Sequence, residues 1–247
     1  MDNSLYQDIF KRKSFHLFGN LKEKIPPQDL KEILSFISRV DHLYPDIRII
    51  ADVVPASENK RSRGEEYAII FYSEEKDNYL TNIGYIGEQI DLFLASKDIG
   101  SLWYGMGKPK KTVKGGLKYV IMLLFGKKDK AEFRKDMYAS KRKPLAEIWE
   151  GEQYPFSNIV RFAPSACNTQ NWLVENRDKR LSVYRIKHTR FGIMPRNKVT
   201  YYNQIDIGIF LCFLELCLNQ EKIAFSRTLF IDSGQAENTL VAYYSLC

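Results

Sequence analysis

Two long apolar stretches of this chain read as one helix written twice. "LTNIGYIGEQIDLFLASKDIGSL" begins at Leu80 and "NQIDIGIFLCFLELCLNQEKIAF" at Asn203, and each has an Ile-Gly-Tyr or Ile-Gly-Ile entry before its apolar run. In the first, Ile83, Ile86, Ile90, Phe93 and Leu94 keep the helical period, while Gly84 and Gly87 weaken an isolated helix and predict close packing against a neighbour. Identity between the surrounding regions is low, so the pair is an internal repeat in outline only. A chain that repeats its most apolar helix must bury both copies, and the other elements have to be arranged around them.

Those elements alternate in type. "PPQDLKEILSFISRVDHLYP" predicts an amphipathic helix, with Pro27 near its start, Leu30, Ile33, Leu34, Ile37 and Val40 on one face, and Pro45 as a stop. "IRIIADVV", "YAIIFY" and "LKYVIMLLFG" predict buried strands. From about residue 149 the plan restarts with a short helix, a turn, strands near "NWLVE" and "LSVYRIK", the second apolar helix, a strand "LFI" and a terminal "TLVAYYSL". Helices interspersed with strands predict a mixed architecture. With 247 residues, 45% hydrophobic and 27% charged, the chain can bury a core in one large domain or two modest ones, which excludes disorder and fibrous repeats.

Several function classes find no support. The N-terminal stretch lacks an apolar h-region, and the best apolar runs are too short or carry Asp206 and Glu215, so a cytoplasmic protein is expected. Cys167, Cys212, Cys217 and Cys247 form no C-x-x-C metal pattern and are expected to be reduced packing thiols. His16, His42 and His188 have no nucleophile or metal constellation around them, and the last two are expected at the surface or at helix ends. The net charge of +7 favours anionic partners, and from Lys108 to Pro144 there are 13 Lys or Arg against three acidic residues.

Three short stretches carry the chemistry. In "KRKSFHLF", residues 11–18, Arg12, Lys13, Ser14 and His16 offer the guanidinium, ammonium, hydroxyl and imidazole that a phosphate calls for, although a solvated basic turn has the same composition. In "GSLWYGMGKP", residues 100–109, a helix is expected to end in a Gly-rich turn beside Trp103 and Tyr104, either bringing backbone close to a planar ligand or simply capping the helix. In "RFAPSACNTQNW", residues 161–172, Pro164 and Ser165 can open a turn on which Asn168 and Gln170 present donors and acceptors, while Trp172 is expected in the core.

Taken together these residues resemble the FMN-dependent nitroreductase family. "RKSFHLF" is similar to its Arg-Arg-Ser-x-Arg-x-Phe opening, "APSACNTQNW" to its Ala-Pro-Ser-x-x-Asn-x-Gln-Pro-Trp turn, "IGSLWYG" to its Leu-Gly-x-Gly-Thr-x-Trp-x-Gly segment, and "KRKPLAEI" to its Arg-Lys-Pro-Leu-Glu-Glu-Ile segment. Family members usually place the Pro-Ser-Asn turn a few dozen residues after the opening motif; here it waits until Pro164. The resemblance therefore implies a single-chain variant with an α+β, nitroreductase-like fold, antiparallel-rich sheets packed with helices and two degenerate halves forming an intramolecular pseudo-dimer. Residues 1–148 would carry the phosphate motif and 149–247 the turn.

Carried over position by position, the resemblance implies that Arg12, Ser14 and Arg142 hold the FMN phosphate, with Lys13 adding to them and His16 standing where Arg or Lys is usual. Pro164, Ser165, Ala166 and Asn168 would line the flavin, Gln170 would support the turn, Asn171 replaces the usual Pro, and Tyr104 and Gly105 match the segment whose backbone faces flavin N5. The implied activity is an oxidoreductase with tightly bound FMN and NAD(P)H as a transient co-substrate, passing electrons to a nitroaromatic, quinone or similar acceptor by a ping-pong mechanism. No dedicated catalytic acid or base, no metal, no membrane and no nucleic acid are implied, and a chain supplying both halves would be monomeric. Two alternatives stay open: a flavin-binding carrier or sensor without turnover, and a nucleic-acid-binding module on the basic segment, where Tyr119, Phe125, Phe133 and Tyr138 interleave with the cations.

Overall fold

The computed structural model of the chain describes residues 2–19, 21, 23–186 and 195–247, so His188 lies outside the described residues. Cα packing divides the chain into two compact units, Met1–Tyr79 with Ile86–Met137, and Leu80–Tyr85 with Tyr138–Cys247. The fold class is the α+β expected, with antiparallel-rich sheets packed with helices.

The first unit runs through α1 (Asp8–Lys11), α2 (Pro27–Ile37), β1 (Ile49–Pro55), β2 (Tyr67–Ser73), most of α3 (Tyr79–Ser96), β3 (Ile99–Tyr104), β4 (Val113–Lys114) and β5 (Leu117–Lys127). Pro27 presets the first turn of α2, and Ile33 and Phe36 bury its apolar face. The strands form an antiparallel sheet in the order β1-β2-β5-β3, with β4 on β5. Strand β5 is buried without a break from Val120 to Gly126, because both faces of the sheet are covered; such strands read as continuous apolar runs instead of alternating ones. One face carries Ile70, Tyr72, Leu102, Tyr104, Met122 and Leu124 against Phe15, Phe18 and Phe133. On the other, Phe71 stacks on Trp103 at 6.0 Å, and a Cβ on Gly87 would press on both rings. Gly87 is thus what lets α3 lie against the sheet.

The segment after α3 differs from expectation. Instead of a Gly-rich turn, residues Ile99–Tyr104 form strand β3 paired to β5. The helix stops at Ser96, and Asp98, at φ 55°, turns the chain directly into the strand, whose Leu102 and Tyr104 alternate onto the apolar face.

The second unit contains β6 (Trp149–Gly151), α4 (Ser157–Val160), β7 (Trp172–Arg177), β8 (Arg180–Ile186), α5 (Val199–Gln220), β9 (Phe225–Leu229) and β10 (Asn238–Leu246). Its sheet has the order β6-β7-β8-β10-β9, antiparallel except where β6 joins β7. Asp178 and Lys179, both at positive φ, close the β7–β8 hairpin with the twist that a two-residue connection needs. The strand expected at "LFI" lies earlier, at Phe225–Leu229, and Ile231 is exposed.

Helix α5 is apolar all round and buried continuously from Ile205 to Leu218, as a core helix should be. It is long and apolar enough to cross a membrane, yet 83% of its most apolar window is buried inside the protein. The predicted close approach of Gly84 is present and reciprocal. A Cβ on Gly84 would run into the Ile205 carbonyl oxygen, and a Cβ on Gly208 into that of Thr81, each carbonyl lying three residues before the opposite glycine. Cys212 and Cys217 are buried as expected, whereas Cys167 and Cys247 are exposed, because neither lies on the apolar helix.

Candidate functional site

The opening motif folds inward. Arg12 is 3% exposed; its Nε donates to Asp91 Oδ2 at 2.7 Å and its Nη2 to Ser14 Oγ at 3.3 Å. Asp91 also accepts from the Ser101 hydroxyl, and Glu88, one turn earlier on α3, accepts from Trp103 Nε1 at 3.1 Å. Burial works against the Arg12 charge, but Asp91 and then Glu88 more than offset it, so its pKa lies above the ordinary guanidinium value. The same burial, reinforced by Asp91, raises Glu88 well above the carboxylate range. Glu88 and Asp91 are acids in the middle of an apolar helix, and Arg12 is the cation that makes them tolerable there. Ser14 is held in register by a bridge to Ser101, with the Phe15 N–H donating to the Ser101 carbonyl at 2.9 Å. Lys13 donates to the Glu132 carbonyl and lies 4.8 Å over the Phe15 ring, and His16 is exposed.

Beside this segment lies one that sequence reasoning treated only as part of a basic run. Asp129 and Glu132 close a capping box over a short 3-10 turn, Lys130–Glu132. Phe133 then packs edge-on to Phe15 at 5.2 Å, and the Arg134 N–H donates to the Lys11 carbonyl at 3.2 Å. Residues 11–15 and 132–134 therefore run side by side. The Arg134 guanidinium is half-buried, and no carboxylate pairs with it among the described residues. Burial first, and the Arg12 charge second, push its pKa down to about 10.

Tyr104 closes β3, 7% exposed with Arg63 over its ring at 5.3 Å, and Gly105 follows as exposed backbone. A cavity of about 280 Å³ opens elsewhere in this unit, over Val54, Ile70 and Tyr72, and is lined by none of the expected site residues.

In the second unit the Pro164–Asn168 turn is a strained loop bolted on three sides. Cys167, Asn168 and Gln170 have φ of 52°, 56° and 49°, a region that costs a non-glycine residue about 1 kcal/mol or more. From behind, Asp206 Oδ1 accepts from the Ala166 N–H at 2.9 Å, and Asn171 Nδ2 donates to the Asn203 carbonyl at 3.0 Å. Within the turn, the Ser165 hydroxyl accepts from the Gln170 N–H at 2.9 Å. In front, Arg142 Nη1 donates to Asn168 Oδ1 at 2.9 Å and Nη2 to the Phe162 carbonyl at 3.2 Å, while Asn168 Nδ2 donates to the Lys141 carbonyl at 3.0 Å. Gln170 accepts from the Lys143 N–H at 2.7 Å, the supporting role expected of it. Pro164 is buried and Trp172 is in the core, stacked on Phe210 at 4.9 Å. Two expected ligands, Arg142 and Asn168, are thus tied to each other.

Asp206 is the acid that the sequence showed only as a charge in an apolar helix. Burial raises its carboxyl to about 8, opposed by the Ala166 N–H and then the Thr169 hydroxyl, and its Oδ2 has no hydrogen-bond partner among the described residues. Deeper in the unit, Glu215 accepts from the Tyr85 hydroxyl at 2.6 Å, the Tyr244 hydroxyl at 2.7 Å and the Arg227 guanidinium.

The basic run 108–144 is not a bare cationic face. Lys110, Lys114, Lys118, Lys127 and Lys128 pair with Glu58, Asp52, Glu75, Asp29 and Glu132, and Phe125 and Phe133 are buried, leaving Tyr138 exposed.

Comparison with known proteins gives one family. Residues 4–218 match the family model described as "Putative TM nitroreductase". A nitroreductase structure from Thermotoga maritima is similar over 98% of this chain and 93% of its own, at 19% identity and a TM-score of 0.62, which establishes the shared fold. A nitroreductase family protein from Clostridium difficile covers 62% of this chain and 100% of its own, with 16% identity and a TM-score of 0.49. A nitroreductase from Desulfovibrio desulfuricans, solved in complex with FMN, covers 63% and 100%, with 16% identity and a TM-score of 0.42. No curated protein matches the chain.

Proposed function

Because the chain belongs to the nitroreductase family, we propose that it is an FMN-dependent oxidoreductase of the cytoplasm, with NAD(P)H as transient reductant. The family match across residues 4–218 is the observation that carries this reading. Bound FMN would supply the redox chemistry, accepting hydride at N5 and passing electrons to a nitroaromatic, quinone or similar acceptor in a ping-pong cycle.

The residues fit such a cofactor. A phosphate needs cationic donors not already spent on a carboxylate, and Arg134, with none pairing it among the described residues, sits on the stretch of chain packed alongside residues 11–15. A flavin ring needs rigid backbone and amide edges, and the Pro164–Asn168 turn is rigid because its strain is opposed by fixed hydrogen bonds on every side. Gly105 adds exposed backbone after β3, where the missing side chain lets a planar ligand come close. We assign Lys13, Ser14 and His16 to a phosphate, with Arg12 fixing that segment, and Tyr104 and Gly105 to a flavin ring; in the second unit, taken by itself, residues 164–168 are suited to a flavin ring. Asn168 acts through its bond to Arg142, so Arg142 positions the turn. The division into halves 1–148 and 149–247, as a pseudo-dimer in one monomeric chain, is part of the same proposal.

The test is direct. Purified protein should be yellow, release FMN on denaturation, and oxidise NADH or NADPH when given a quinone or nitroaromatic. Colourless protein that takes up no added FMN would end the flavin reading. Flavin retention without NAD(P)H oxidation would favour a carrier or sensor. Ser14→Ala and Asn168→Ala should each weaken FMN retention, and a position without effect removes its segment from the assignment.

A further inference from the structure

Arg12 has little left to offer a ligand. Its guanidinium is buried, its charge is matched by Asp91 at 2.7 Å, and one of its remaining donors is directed at Ser14 Oγ. Lys13 is engaged by the Glu132 carbonyl. Arg134 differs in each respect: it is half-buried instead of fully buried, it has no carboxylate partner among the described residues, and it faces the charge of Arg12. Two neighbouring guanidinia with only one matched by an acid repel each other, and an arriving anion relieves that repulsion. The position is also built. The capping box at Asp129 and Glu132, the Phe133–Phe15 contact and the Arg134 N–H to the Lys11 carbonyl fix residue 134 against residues 11–15.

We propose that Arg134 is the residue that touches the phosphate of a bound phosphate monoester, and that Arg12 is a positioning residue that fixes Ser14 and the segment 11–16. The inference rests on the flavin reading for its ligand. Residue 134 belongs to none of the four motifs shared with the family, and its role follows from its packing alone. A fork of guanidinium donors suits two phosphate oxygens at once, which a lysine ammonium cannot match.

Riboflavin and FMN differ only in the phosphate, so their affinity ratio isolates this contact. Apoprotein is titrated with each flavin and binding is read by quenching of flavin fluorescence. Arg134→Ala should weaken FMN by about 10- to 100-fold, the scale of a hydrogen bond to a charged group, and leave riboflavin unchanged. Arg134→Lys should fall between the two. Arg12→Lys, which keeps the buried charge, should alter both flavins by a common factor. The inference is overturned if Arg134→Ala leaves the ratio as in wild type, or if Arg12→Lys lowers FMN selectively while Arg134→Ala does not. Equal loss of both flavins in Arg134→Ala also overturns it, since that marks a structural residue. Wild type that binds neither flavin defeats the flavin reading and this inference together; tight FMN binding with an indifferent Arg134→Ala defeats this inference alone.

Discussion

Replacing Gly208 by alanine should lower the thermal midpoint even though alanine is the better helix former. Propensity alone favours the substitution by about 1 kcal/mol in a helix interior. Against that, the added methyl would overlap the Thr81 carbonyl oxygen and lie 2.7 Å from the Tyr85 nitrogen and 2.9 Å from the Thr81 carbonyl carbon. All three are main-chain atoms, so no side-chain rotation relieves the overlap and the helices must move apart. Overpacking costs about 1–3 kcal/mol in a close-packed core, and at a backbone contact the upper part of that range applies. The net loss is then about 1–2 kcal/mol, or a fall of about 2–8 °C for a chain of this size. Calorimetry on wild type, Gly84→Ala, Gly208→Ala and the double variant reads this out. Either methyl forces the same separation, so the double variant should lose less than the sum of the single losses. A midpoint for Gly208→Ala at or above wild type, or strict additivity in the double variant, would refute the backbone-contact reasoning.

Two further outcomes concern buried acids. Glu215→Ala strands Arg227 and two phenols and should cost about 3 kcal/mol, the lower end for a broken buried pair because Arg227 is 24% exposed; urea unfolding measures it, and a loss under about 1 kcal/mol would contradict the assigned network. Asp206 ionises near its ordinary 3.8 when unfolded and about 8 when folded, so between those values the folded state holds the extra proton. Stability attributable to this group therefore falls as pH rises from about 4 to about 8, by up to about 1.4 kcal/mol per pH unit, and levels off above. Asp206→Asn removes that slope, and urea midpoints at successive pH values compare the two proteins; parallel curves would count against the assignment.

Much of this fold was legible where one physical requirement dominated. The period of Ile83, Ile86 and Ile90 and the proline at α2 placed helices correctly, and the unbroken apolar runs of β2 and β5 marked strands buried on both faces. The segment 99–104 was misjudged because its glycine and aromatics suggested a turn, whereas pairing to β5 decided the matter, and pairing is not local. The site was readable as motifs but not as contacts. Nothing in "RKSF" says that Arg12 is spent on Asp91; the available hint was the pair of acids at 88 and 91 within an apolar helix, which required a cation from somewhere. Arg134 was hidden inside a run of lysines, and what distinguishes it, its burial and the packing of residues 133 and 134 against residues 11–15, is tertiary.

The Arg12–Asp91 pair also ties the order of folding to the order of synthesis. Residues 12–15 leave the ribosome before α3, and the partner acid of Arg12 is 79 residues further on, so they must wait for α3 before they can be buried. Until then α3 carries two acids with no cation to balance them, and neither piece completes its packing alone. Pulse-labelled hydrogen exchange should accordingly find the amides around Phe15 and those of α3 gaining protection in the same kinetic phase.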